Sequence, residues 1–168
     1  MLNVSAADAG VYTCVASNPA GNASNDITFN VLVPPSIDDT ASGITMQVII
    51  NDTVVLECIA SGAPQPQITW SKNSRQMALT DHAMVTEQGQ QLLIDGVVAQ
   101  DAGVYTCEAR NSAGEARKDI TLDVLVPPYI SDAVETVFEV IVNRSVTLEC
   151  PAVGHPVPRV QWFRDGSL

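Results

Sequence analysis

The stretch Asp8-Ala-Gly-Val-Tyr-Thr-Cys14 is repeated letter for letter as Asp101-Ala-Gly-Val-Tyr-Thr-Cys107, 93 residues further along the chain. The same offset relates Val31-Leu-Val-Pro-Pro-Ser-Ile37 to Val124-Leu-Val-Pro-Pro-Tyr-Ile130. Self-similarity at a fixed period indicates repeated units, and this period has the length of a small domain rather than of a solenoid unit. The sequence therefore predicts an array of similar domains.

Within one period, apolar and polar residues alternate, and no helical 3.6-residue pattern persists. Val54, Leu56 and Cys58 fall on one face of a predicted strand, and Tyr105 and Cys107 fall on one face of another. Ile68 and Trp70 form a further pair predicted to point inward. Strands are also predicted over 91–94 and 114–124, with turns at 63–66 and 111–114. The predicted fold class is all-β.

The charge balance excludes several classes of partner. The 168 residues carry 19 acidic and 8 basic side chains, a net charge of -11, and the first basic residue is Lys72. Because no cluster of Lys and Arg is present to neutralise phosphates, nucleic acid and anionic lipid are poor partners. No apolar run approaches the roughly 20 residues that a membrane span requires, so we expect no membrane insertion in this segment. The acidity predicts a solvated, self-repelling surface.

The four cysteines Cys14, Cys58, Cys107 and Cys150 lie far apart, with no C-x-x-C pair and no cluster at metal-ligand spacing. Zinc binding and thioredoxin-like chemistry are therefore disfavoured, and a disulfide between distant strands in an oxidising compartment is the alternative. Four acidic residues considered as metal ligands or as an acid–base pair have no ordered ligand loop and are predicted to be solvated surface: Asp38, Asp39, Asp81 and Glu87. We expect no metal and no cofactor.

Cys58, Trp70 twelve residues later, and Asp101-x-Gly-x-Tyr105-x-Cys107 together resemble the signature of the immunoglobulin superfamily. The resemblance implies an immunoglobulin-like β-sandwich with a Cys58–Cys107 disulfide and Trp70 packed against it. It also implies that Tyr105 turns its hydroxyl onto the backbone, as Tyr12 does in the preceding repeat. The short distance between the Trp strand and the final strands resembles the I-set type. Neither His82 nor His155 lies in a motif that would supply a base to activate Cys107 as a nucleophile, so we expect no enzyme in this segment.

Aligning the repeats predicts one complete domain over residues 34–126. Residues 1–33 would then be the C-terminal part of one domain, and 127–168 the N-terminal part of another. Under this interpretation, Cys14 and Cys150 have no partner because each domain is truncated, and Trp162 corresponds to Trp70. We therefore expect a tandem array seen in part, a piece of a longer protein, and neither end should fold stably alone.

Four Asn-x-Ser/Thr sequons begin at Asn3, Asn22, Asn51 and Asn143, none with proline in the middle. Asn51 and Asn143 each precede a cysteine of the array by seven residues, which places both on the turn that enters a strand. Asn3 aligns with the turn residue Gly96. If the protein is secreted, we expect N-linked glycans first at Asn51 and Asn143.

The junctions Val-Leu-Val-Pro-Pro at 31–35 and 124–128 resemble those of the hemicentins, as does the Asp-Ala-Gly-Val-Tyr-Thr-Cys-x-Ala-x-Asn-x-Ala-Gly motif. Proline restricts its own φ and the preceding residue, so the junctions are predicted to be short, stiff linkers in a rod-like array. The resemblance implies an extracellular structural and adhesive module of a matrix protein that links cells and basement membrane. Its partners would be other extracellular or cell-surface proteins, including like molecules. The alternative is the ectodomain of an adhesion or neuronal guidance receptor, while a cytoplasmic muscle-type array is disfavoured by the framework cysteines and sequons.

Overall fold

The computed structural model describes residues 3–38, 44–77, 80, 82–131 and 137–166. Three short 3₁₀ turns lie at Ala6–Asp8, Glu87–Gly89 and Ala99–Asp101. The remaining regular elements are strands: β1 (Gly10–Asn18), β2 (Gly21–Phe29), β3 (Val33–Ile37), β4 (Thr45–Ile49), β5 (Val54–Glu57), β6 (Ala60–Ala63), β7 (Gln67–Lys72), β8 (Arg75–Gln76), β9 (Ala83–Thr86), β10 (Gln91–Ile94), β11 (Gly103–Asn111), β12 (Gly114–Ile130) and β13 (Ala152–His155). The all-β prediction is confirmed.

Two sheets form a sandwich in the middle of the chain. One has the order β5-β10-β9, and the other contains β12-β11-β7-β8 with β4 parallel to β12. Antiparallel β1 and β2 form a separate hairpin, and β3 pairs with β6. The two-residue β8 is the only strand described between β7 and β9, so the described residues there contain none of the longer edge strands of a variable-type domain.

The alternation predicted around the cysteines is confirmed by the burial of the side chains. In β5, Val54 and Leu56 are buried while Val55 and Glu57 are exposed, and Cys58 continues the buried face. In β11, Tyr105 and Cys107 are buried on the face opposite Val104. The core cluster consists of these buried residues: Val48, Val54, Leu56, Cys58, Trp70, Leu92, Ile94, Val97, Tyr105, Cys107, Ile120, Leu122 and Val124. Burial of apolar side chains therefore stabilises mainly the middle repeat.

The structure corrects the interpretation of the later proline junction as a separate linker. The final strand does not end near residue 124, because β12 runs from Gly114 through Pro127-Pro128 to Ile130 and pairs with β13. The register of this pairing shifts between Val126 and Tyr129, where the prolines lie. Proline lacks the N–H that a ladder needs and is tolerated in a sheet at such irregular positions. The junction is therefore itself a strand, and β3 has the same irregularity around Pro34-Pro35.

Candidate functional site

A disulfide joins Cys58, just after β5, to Cys107 in the middle of β11. Both cysteines are fully buried, and their Cα atoms are 6.3 Å apart. Trp70 lies opposite Cys107 in the β7–β11 pairing, and its indole N–H donates a hydrogen bond to the Gly89 carbonyl at 2.8 Å. Because β5 and β11 belong to different sheets, the disulfide crosslinks the sandwich, while the indole fills the space beside it.

The corner before β11 is built around Asp101 and Tyr105. The Tyr105 hydroxyl donates a hydrogen bond to the Asp101 carbonyl at 2.8 Å, and the residue is only 1% exposed. The Asp101 carboxylate accepts the Val98 backbone N–H at 2.8 Å and lies 2.8 Å from His82 Nε2. Burial raises the pKa of the Tyr105 hydroxyl well above its ordinary range, so it remains a proton donor. The arrangement holds one end of the sandwich together by hydrogen bonds.

Replacing Tyr105 by phenylalanine is expected to lower the free energy of unfolding by about 1 kcal/mol, because a buried hydrogen bond is lost. The Asp101 carbonyl that accepts this bond would lose a partner, while the ring would keep its packing. Urea unfolding followed by circular dichroism measures the change. Tyr12→Phe is the control, since Tyr12 makes the same bond to the Asp8 carbonyl at 2.8 Å but is 41% exposed. An equal loss in both variants would contradict the role given to burial.

The first repeat shows the same local geometry without the same burial. Ser5 donates hydrogen bonds from its N–H and its hydroxyl to the Asp8 carboxylate, at 2.8 Å and 3.0 Å, and these bonds lower the pKa of that carboxyl. Cys14 is exposed, Cys150 is partly buried, and both have free thiols. Trp162 is 54% exposed, whereas Trp70 is 5% exposed. The repeated motif therefore forms the same hydrogen-bonded corner in the first repeat, but its side chains are not buried in a core there.

An open groove beside the corner has a volume of about 490 Å³, and its lining includes Lys72, His82, Asp101 and Tyr105. Lys72 Nζ donates to the Gln100 carbonyl at 2.6 Å and lies over the Tyr105 ring. His82 Nε2 is within hydrogen-bond distance of the Asp101 carboxylate, at 2.8 Å. These polar groups therefore bond to one another and stabilise the corner.

The acidic residues weighed as metal ligands are only partly within the described ranges. Asp39 and Asp81 lie outside them. The backbone carbonyl of Asp38 accepts a hydrogen bond from Lys118 Nζ at 3.2 Å. Across the described residues, no group of three or more His, Cys, Asp or Glu side chains could hold a metal ion.

Asn111, which the sequence placed only in a turn, connects three segments of the middle repeat. Its Nδ2 donates to the Val33 carbonyl at 2.8 Å and to the Pro64 carbonyl at 2.9 Å, and its Oδ1 accepts the Ala113 N–H. The β11–β12 hairpin is thereby tied to the beginning of β3 and to the turn after β6. A side-chain amide is suited to this position because it both donates and accepts.

A second set of contacts missed at the sequence level lies at the later junction. The Asp123 carboxylate in β12 accepts a hydrogen bond from Gln47 Nε2 at 3.1 Å and lies 2.9 Å from His155 Nε2 of β13. Alignment of the repeats puts Asn30 and Ala63 at the equivalent positions of the earlier junction. No short sequence motif contains this contact, because it forms only when β12 pairs with β13.

Acidification is expected to weaken this junction. The hydrogen bond from Gln47, followed by the one from His155, holds the pKa of the Asp123 carboxyl below its ordinary value. A carboxyl whose pKa is depressed by folding contributes stability above its unfolded pKa, and that contribution is lost as the pH falls through the folded pKa. An NMR titration of the Asp123 carboxyl carbon should therefore give a low midpoint, which Gln47→Ala raises. An unchanged midpoint in Gln47→Ala would contradict the assignment.

The outer face of the β11–β12 hairpin carries a network of four exposed or partly exposed charges. Arg110 lies 2.7 Å from Glu108 and 2.6 Å from Glu115, and Arg117 lies 3.4 Å and 3.5 Å from the same carboxylates. The hydrogen bond from Arg110 lowers the pKa of Glu115. The equivalent positions in the first repeat are uncharged: Val15, Ser17, Asn22 and Ser24. The two repeats therefore present chemically different surfaces on one scaffold.

All four sequon asparagines are exposed. Asn51 and Asn143 lie in turns with positive φ of 72° and 65°, and Asn3 has a φ of 58°, close to the 60° of Gly96. Asn22 lies instead near the start of β2, opposite Ser17.

The immunoglobulin I-set domain model matches residues 36–124, more than half of the chain. The chain belongs to the immunoglobulin I-set family. This confirms the immunoglobulin resemblance inferred from Cys58, Trp70 and the repeated motif, and the I-set type inferred from the short distance between the Trp strand and the final strands. The resemblance to hemicentins is also confirmed. Mouse hemicentin-1 is 44% identical over 160 residues, which is 95% of this chain but 3% of that protein's length.

Two solved structures are similar to the chain over most of its length. An I-band fragment of titin has a TM-score of 0.77 and 32% identity, covering 98% of this chain and 58% of the titin fragment. Drosophila OTK, extracellular domains 3–5, has a TM-score of 0.56 and 34% identity, covering 73% of this chain and 42% of that one. Within the described ranges, no helix has the length and apolar character that crossing a bilayer requires.

Proposed function

We propose that this I-set chain is a non-enzymatic extracellular module that binds and spaces other proteins within a hemicentin-like matrix protein linking cells and basement membrane. The observation that carries the proposal is the 44% identity to mouse hemicentin-1, which extends across 95% of the chain and so includes both junctions. The Cys58–Cys107 disulfide favours an oxidising compartment over the cytoplasm of a muscle cell.

The proposed spacing role is supported by the continuity of the later junction. Because β12 crosses Pro127-Pro128 and pairs with β13, the two repeats share a hydrogen-bonded strand. The side-chain contact between Asp123 and His155 adds to this connection. We propose a complete domain over residues 34–126, with partial domains at 1–33 and 127–168 on either side. Cooperative unfolding of the excised segment 34–126 would support these boundaries.

The binding role is supported by the exposed surface of the middle repeat. The network of Glu108, Arg110, Glu115 and Arg117 presents both charge signs on one sheet face. Such a surface suits polar contacts with another protein, which give specificity and orientation.

To test this proposal, the purified full chain is immobilised on a sensor. Its binding to solubilised basement-membrane extract, and to the same chain in solution, is then measured. Saturable binding to either is expected. A chain with Cys58 and Cys107 both replaced by serine controls for the need for an intact sandwich. The absence of binding to both, with the native chain verified as folded, would contradict the adhesive role.

A second candidate is the ectodomain of a cell-surface adhesion or guidance receptor. The 34% identity to extracellular domains of Drosophila OTK favours it. Sequencing the full-length transcript separates the two, because a membrane-spanning segment or fibronectin type III repeats would favour the receptor. Dozens of further I-set repeats would favour the matrix protein.

A further inference from the structure

Three asparagines outside the sequons, Asn18, Asn73 and Asn111, have structural roles that their side-chain hydrogen bonds define. Asn73 Oδ1 accepts the Val104 N–H at 3.0 Å, Asn18 Oδ1 accepts the Ala20 N–H, and Asn111 binds three backbone groups. Each of these stabilises a turn, and none begins a sequon. In the described part of the chain, the exposed side chains of Asn51 and Asn143 make no such hydrogen bond.

Asn51 and Asn143 occupy the same place in matching turns. The Asp52 N–H donates to the Ile49 carbonyl at 3.1 Å, and the Arg144 N–H donates to the Ile141 carbonyl at 3.1 Å. In both turns the asparagine is the third residue, where positive φ favours glycine or asparagine. Backbone conformation alone would therefore be satisfied equally well by glycine. A hydroxyl residue two positions later, Thr53 or Ser145, completes a sequon in each turn. The Thr53 hydroxyl also donates a hydrogen bond to Asp95 Oδ1 at 2.5 Å, while the amide of Asn51 remains exposed.

Exposed apolar side chains lie beside both turns. Ile49 is 47% exposed, and Ile141 and Val142 are 76% and 82% exposed. A bulky hydrophilic group attached at the adjacent asparagine would cover them in part and limit association through these side chains.

We propose that Asn51 and Asn143 are the attachment sites of N-linked oligosaccharides, at the same turn of the middle and of the later repeat. The proposal rests on the extracellular function proposed above. The donor is a lipid-linked oligosaccharyl pyrophosphate of the secretory pathway. The Asn amide nitrogen forms a bond to the anomeric carbon, the bond from that carbon to the pyrophosphate oxygen breaks, the lipid pyrophosphate leaves, and the amide proton passes to a base.

The turn at Asn51 places this glycan next to the later junction. The Ile50 N–H donates to the Leu125 carbonyl at 2.9 Å, and the Asn51 N–H donates to the Val97 carbonyl at 2.8 Å. Leu125 lies two residues before Pro127 in the same strand. The glycan at Asn51 therefore lies at the end of the middle repeat and restricts access of other macromolecules to the junction.

The test is site-specific mass spectrometry of the full chain, secreted from animal cells with an added signal peptide. Peptide N-glycosidase in ¹⁸O water is expected to convert Asn51 and Asn143 into labelled aspartates. Asn51→Gly and Asn143→Gly each remove one label and one glycan mass, while the positive φ at both positions lets glycine preserve the turn. An unchanged thermal midpoint after deglycosylation verifies that the fold is retained.

A secreted, disulfide-bonded chain in which either asparagine remains unmodified would overturn this proposal and leave the extracellular function standing. A chain retained in the cell with reduced Cys58 and Cys107 would overturn the extracellular function and, with it, the glycan assignment.

Discussion

Replacing Cys58 and Cys107 together by serine is expected to lower the free energy of unfolding by about 2 to 5 kcal/mol. The disulfide joins residues 49 positions apart, so its loss restores conformational freedom to the unfolded middle repeat. It also removes a fully buried contact between the two sheets. Urea unfolding of the full chain, followed by far-ultraviolet circular dichroism, measures the difference. Reducing agent added to the native chain should also lower its free energy of unfolding.

The matched control replaces Cys14 and Cys150 by serine. Cys14 lies in the same seven-residue sequence as Cys107, but its thiol is free and exposed. We therefore expect a change within about 0.5 kcal/mol, as for an ordinary surface substitution. Equal losses in the two double variants, or none in either, would show that the disulfide does not determine the stability of the sandwich.

Replacing Trp70 by alanine is expected to lower the free energy of unfolding by about 3 to 5 kcal/mol. The side chain is almost fully buried, so its removal exposes apolar surface and leaves a cavity near the disulfide. The variant also removes the indole hydrogen bond to the Gly89 carbonyl. The same denaturant titration measures the loss, with one-dimensional NMR to verify that the variant folds at low urea.

Trp162→Ala provides the comparison, since Trp162 holds the equivalent position of the next repeat but is 54% exposed. A change within about 0.5 kcal/mol is expected there. A Trp162→Ala variant as unstable as Trp70→Ala would mean that the later segment has a core of its own, contrary to the burial described.

Much of the middle repeat could be predicted from its sequence because each strand carries a local pattern. Alternation around Cys58 and Cys107 identified the inward faces, and their spacing to Trp70 matched the immunoglobulin signature. The contacts made by Asn111 could not be predicted, because Val33 and Pro64 are distant in sequence and are joined only when the sheets form. The contact between Asp123 and His155 likewise depends on the pairing of β12 with β13.

The repeated stretch at 8–14 and 101–107 by itself determined the period, the strand and the tyrosine corner. Both copies form a strand, and both tyrosines donate to the carbonyl of the aspartate four residues earlier. Only the tertiary structure decided which copy has a core, since Tyr105 is 1% exposed and Tyr12 is 41% exposed. In the described residues, β11 has strands on both sides and a second sheet across the sandwich, whereas β1 pairs only with β2. Local bonds depend on neighbours in sequence, but burial depends on what the rest of the chain places against a strand.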